Sequence, residues 1–134
     1  MQKLPDWEPR LRGYLASSAA APFEWGVTDC ASFTGGAVEA MTGVNPHARF
    51  AGKYKTAKGA ARALRKLGHE DHVAYAASLA TEIPPSYAAF GDIAVVQGEG
   101  GLARGVVIGT HVEVRAPGGR AVLRLTDAMR AFRV

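Results

Sequence analysis

The chain changes its hydrophobic period near Gly91, and that change limits what it can fold into. Upstream, apolar residues recur at helical spacing: Trp7, Leu11, Tyr14, Leu15 and Ala19 on one segment, then Cys30, Phe33, Ala37, Val38 and Met41 on another. Downstream, "DIAVVQ", "RGVVIG", "HVEVRA" and "AVLRL" are short β-branched runs separated by "GEGG", "GT" and "PGGR". Residues three or four apart share a helix face and alternate residues share a strand face, so the two halves build different elements. Helices first and strands second predict an α+β fold, with N-terminal helices packed on a C-terminal antiparallel sheet of about four strands.

Local signals place the helices. The first is expected over residues 6 to 19, with Pro9 tolerated in its opening turn, and the second starts at Asp29 or Cys30 and stops at Gly43. Asn45-Pro46 marks a loop; Thr56 then caps a third helix that carries Ala57, Ala60, Ala61, Leu64 and Leu67 inward as far as Gly68. A short fourth helix is expected over residues 71 to 79, and "IPP" closes the helical half. Near the end, Thr126 or Asp127 caps one more helical turn before an extended tail. With 134 residues, 48% of them hydrophobic, the chain has the size of one domain with one core, spanning residues 1 to 134.

Its only cysteine lies in "FEWGVTDCASF", residues 23 to 33, at the expected start of the second helix. A helix N-terminus stabilises a thiolate through its free N–H groups and its dipole, while the charge of the neighbouring Asp29 opposes that effect. A cysteine hydrolase also needs an imidazole within hydrogen-bond reach. The chain has His47, His69, His72 and His111, of which only His111 falls in the expected sheet. His47 stands in a loop, and His69 and His72 flank a helix start, where surface or capping roles are the simplest. A lone cysteine is also a small hydrophobe that cores often bury. Phe23, Trp25, Asp29 and Asp92 are the candidate groove residues, with core packing, capping and turn chemistry as their plainer roles.

The order "F-x-W-G-x-x-D-C-A-x-F", a helix ending in Thr42-Gly43 with Pro46 nearby, then "GDIAVV" from Gly91-Asp92 and a strand meander, resembles the NlpC-type peptidoglycan peptidases, which are papain-like cysteine hydrolases. Together with the closing Phe132-Arg133, it looks more closely like an uncharacterised family encoded in the tail modules of tailed phages and prophages. The resemblance implies a papain-like fold, with Cys30 at the nucleophile position. It also implies where the general base belongs: the peptidases begin their next strand with a histidine, in a pattern like "HVGIYLG", and the matching stretch here is "ARGVVIG". Ala103 occupies that position. Phe23 stands where the peptidases usually have a tyrosine, and the third polar position falls at Val114 or Arg115. His111 lies beyond the Gly109-Thr110 turn and serves as base only if the fold returns it to the sulfur.

Charge and absences narrow the rest. A net charge of +4 suits an acidic partner, and Lys58, Arg62 and Arg65 share one helical face, but no aromatics interleave with them as in single-strand binders. Nucleic acid is therefore an unfavoured partner. No run of about 20 apolar residues offers a membrane span, and Asp6, Glu8, Arg10 and Arg12 interrupt any signal-peptide core, so folding in the host cytoplasm is expected. No cofactor or metal is expected, because the histidines lack cysteine partners at ligand spacing and "GEGG" precedes a strand rather than a helix. Three roles follow: a tail-tip or assembly component of a phage tail, in the virion or its assembly intermediates, with a peptidase-like fold and a degenerate site; an active peptidoglycan hydrolase; and a nucleic-acid binder.

Overall fold

A computed structural model of the chain describes residues 2–98 and 101–134. Four helices come first: α1 (Trp7–Ser18), α2 (Cys30–Thr42), α3 (Ala57–Lys66) and α4 (His72–Leu79). Six strands follow: β1 (Thr81–Ile83), β2 (Ile93–Gly98), β3 (Gly101–Val107), β4 (His111–Ala116), β5 (Gly119–Arg124) and β6 (Arg130–Arg133). The fold is α+β, as the change of period requires.

The expected four-strand meander is β2 to β5, and the sheet extends it to six antiparallel strands in the order β1-β6-β2-β3-β4-β5. A 3-10 turn at Leu125–Asp127 turns the tail back, so that the expected extended end becomes β6 and inserts between β1 and β2. The tail thus pairs on both sides.

Capping sets the helix starts. The side chains of Asp29, Thr56 and Asp71 accept from the backbone N–H of Ser32, Gly59 and Ala74, and Gly43 ends α2 at φ 83°. Each cap satisfies a donor that the first turn leaves unpaired. Helices α1 and α2 cover one end of the sheet through Leu11, Phe33, Ala37, Val38 and Met41 on Ile93 and Val106. Farther along the same face, Val73 and Ala76 of α4 pack on Val95 and Phe132. A second cluster joins Ala94, Val96, Ala103, Val107, Val112 and Val114 on the other face, with Cys30, Leu123, Leu125 and Ala128 packed against it. Leu67, expected inside, caps the end of α3 and is exposed, because α3 ends one residue before it.

One ion pair ties helices to sheet. Arg115 on β4 is 3.1 Å from Glu113, lies over the Phe33 ring at 4.0 Å and donates to the Ser18 carbonyl at the end of α1. Both side chains of the pair are almost fully buried, so the guanidinium depends on that carboxylate for compensation. Glu113→Gln is expected to cost about 3 kcal/mol of stability by leaving the Arg115 charge unpaired. Chemical denaturation of both proteins checks this, and an unchanged midpoint would contradict it.

Candidate functional site

The "WG..DC" stretch folds around one carboxylate. Asp29 is buried; its Oδ1 accepts from Ser32 N–H at 2.8 Å, and its Oδ2 accepts from Gly26 N–H at 2.9 Å and from the Tyr54 hydroxyl at 2.5 Å. Gly26 has φ 84°, and a Cβ there would strike the Tyr54 carbonyl, which explains the glycine after Trp25. Its own carbonyl accepts from Gly52 N–H at 2.9 Å. The loop around Tyr54 is thereby held against the start of α2. Tyr54 Oη also lies 3.1 Å from Nε2 of His47, which is buried and packs on Phe50.

A cavity of about 220 Å³ opens beside this turn. Trp25, Phe50, Leu64 and Tyr75 wall it, with Ala57, Ala60 and Ala61 of α3 keeping one side shallow. Its polar lining comes from Asp29, Cys30, His47, Tyr54, Asp71, His72 and Arg104. Four chain segments that lie far apart in sequence meet here.

Cys30 is the first residue of α2 and sits at the edge of the apolar cluster that contains Ala103, Val112 and Val114. Burial raises its thiol pKa; the Arg104 charge and a backbone N–H work against that rise without overcoming it. Among the described residues no side chain forms a hydrogen bond to the sulfur. His47 points at Tyr54, and His72 Nε2 lies 3.1 Å from the Leu102 carbonyl. Nδ1 of His72 is buried without a partner. Burial and the Arg104 charge lower the His72 pKa to about 4, and burial lowers that of His47 against the pull of Asp29. Both imidazoles are neutral at pH 7. For Asp29, burial would raise the pKa, but the hydrogen bonds from Tyr54, Ser32 and Gly26 outweigh it and hold the carboxyl below its usual range.

The residues singled out from the sequence separate into two groups. Trp25, Asp29 and Cys30 line the cavity together. Phe23 stacks edge-on against Trp25 at 5.0 Å, outside the cavity lining. Asp92 is buried away from it; Oδ2 accepts from Ala89 N–H at 2.9 Å, a turn contact before β2. His111 opens β4, is exposed, and has Nδ1 3.0 Å from the Thr110 hydroxyl. The structure does not bring His111 to Cys30: the β3–β4 turn leaves it at the other end of the hairpin, paired across to Arg124 of β5. His72, expected at the surface or as a cap, is instead a cavity residue, and so is His47, which was expected only to stand in a loop. Arg104 and Tyr54 join them without having been singled out. For Arg104 a signal existed, a charge inside a run of strand residues.

A family model described as a domain of unknown function, DUF6950, matches residues 2–134. The chain belongs to the DUF6950 family. No curated protein matches it. The family description assigns no activity, so the chemistry of this DUF6950 member rests on the geometry above. Among the described residues no helix is long and apolar enough to cross a membrane, and no group of three or more His, Cys, Asp or Glu is placed to hold a metal ion.

Two outcomes are expected. Asp29→Ala removes a cap and strands the Gly26 N–H and the Tyr54 hydroxyl, at a cost of about 3 kcal/mol; urea titration checks it, and a loss under about 1 kcal/mol would contradict it. The unfolded chain takes up protons at His72 near pH 6.5 and the folded chain only near 4, so stability is full above 6.5 and falls as the pH drops toward 4. The fall is up to about 3 kcal/mol and is shallower in His72→Gln. Denaturation midpoints across that window measure it, and equal slopes for the two proteins would contradict it.

Proposed function

We propose that this chain is a tail-tip or tail-assembly protein of a tailed phage or prophage, built on an NlpC-type papain-like fold whose peptidase site no longer reacts. The tail assignment rests on the resemblance carried by Trp25, Gly26, Asp29, Cys30, Gly91 and Asp92. Loss of catalysis rests on one observation: the position where the peptidases carry their base is Ala103, buried in an apolar cluster, with no imidazole bonded to the Cys30 sulfur among the described residues. A thiol needs a base at hand to be a nucleophile near neutral pH, and members of such a pair fail together when one is missing. Burial of Cys30 adds to this by favouring the protonated form.

A second reading has one observation in its favour. His72 is neutral, has an unpartnered Nδ1, and shares the cavity with Cys30, as a relocated base would. In that reading the chain is a peptidoglycan hydrolase in which Cys30→Ala and His72→Ala each abolish release of soluble peptide from purified cell wall. The first reading expects no release above that of Cys30→Ala. In the phage or prophage that encodes the chain, it also expects the protein in purified tails or their assembly intermediates, with Cys30→Ala giving as many infectious particles as the unaltered gene. Cys30-dependent release, or absence of the chain from both tails and intermediates, would overturn it.

A further inference from the structure

Two arginines are buried against the helix-covered face of the sheet, and the fold treats them oppositely. Arg115, 3% exposed, has Glu113, the Ser18 carbonyl and the Phe33 ring around it. Arg104, 8% exposed, has no acidic partner within ion-pair distance among the described residues, and its buried Nε has no acceptor. Arg104 lies on β3 opposite Val95 and lines the cavity beside Cys30 and His72.

The carboxylates nearest to hand are already engaged. Asp29 spends both oxygens on Ser32, Gly26 and Tyr54, and Asp71 caps α4 through Ala74 N–H at 2.8 Å. A buried cation without a partner costs several kcal/mol unless something compensates it. A guanidinium presents a planar fork of donors that matches two oxygens of one anion. His72 donates Nε2–H to the Leu102 carbonyl, so its free Nδ1 is an acceptor, and the donors for an anion in this cavity come from Arg104.

We propose that this cavity binds the free carboxylate of a small, largely apolar ligand of amino-acid or dipeptide size, with the two oxygens on Arg104 and the apolar part against Phe50, Leu64 and Tyr75. The volume of about 220 Å³ falls below the roughly 300–1,000 Å³ of sites for drug-sized molecules. One cation in a mostly apolar wall, with the Asp29 charge close by, suits a monoanion attached to a hydrocarbon body better than a strongly hydrated phosphate dianion. The alanines of α3 leave the room that larger side chains would fill. The proposal stands apart from the tail reading: failure of ligand binding leaves tail incorporation untouched, and the reverse also holds.

Thermal unfolding of the full chain with N-acetyl-leucine, N-acetyl-alanyl-alanine, their C-terminal amides and inorganic phosphate tests it. The two acids are expected to raise Tm by about 4 °C at ten times their Kd, and the amides and phosphate by less than a degree. Arg104→Met is expected to raise the ligand-free Tm by a few degrees, since it removes an uncompensated buried charge, and to abolish the shift caused by the acids. Arg104→Lys keeps the charge but loses the fork, and is expected to retain a smaller shift. Equal shifts by acids and amides, a shift by phosphate alone, no shift with either acid at 10 mM, or an undiminished shift in Arg104→Lys or Arg104→Met would overturn it.

Discussion

The buried carboxylate of Asp29 is the contact on which the rest of the site depends. It caps α2, closes the Trp25-Gly26 turn and receives the Tyr54 hydroxyl, so one side chain fixes a helix start, a turn and a loop that returns from 25 residues away. Hydrogen bonds to an ionised acceptor are stronger than neutral ones, and here three donors converge on one carboxylate out of water. The direction of α2 follows, and with it the position of Cys30 in the cavity lining. His47 is drawn in as well, because Tyr54 bridges it to Asp29.

The same burial works against a reactive sulfur. A nucleophilic cysteine needs its thiolate stabilised by a partner that takes the proton, and the helix N-terminus supplies only part of that. Arg104 favours the thiolate electrostatically but cannot accept a proton. On β3, side chains alternate between faces, so Ala103 faces the apolar cluster while its neighbour Arg104 lines the cavity. A cation thus stands in the cavity one residue along the chain from Ala103, the position that the proposed resemblance to the peptidases would give to their base. That arrangement suits holding an anion better than activating a thiol, which is the common ground between the proposed loss of catalysis and the proposed carboxylate site.

How much was legible in the sequence depended on the range of the interaction. Asp29, Thr56 and Asp71 each cap a donor three residues away, and such local chemistry can be read directly from the chain. The strands β2 to β5 announced themselves through β-branched runs and glycine turns. Strands β1 and β6 span three and four residues, too short for a period, and they exist because β6 pairs with β2 on one side and with β1 on the other. The convergence of His47, Tyr54, His72 and Arg104 had no local signal at all, except for the charge of Arg104 within "ARGVVIG". His111 attracted notice by its place in the sheet, but the register set by the β3–β4 turn pairs it with Arg124 and leaves it in solvent.

The decisive quantity is the ionisation of Cys30. With the protein labelled at the cysteine β-carbon, the 13C shift followed from pH 5 to 11 reports thiol and thiolate directly, without relying on a substrate or an alkylating reagent that must enter the cavity. A half-buried sulfur with no proton acceptor is expected to titrate above the roughly 8.5 of a free cysteine. A midpoint below about 7, moving when His72 is replaced, would contradict the view that the nucleophile position has lost its base.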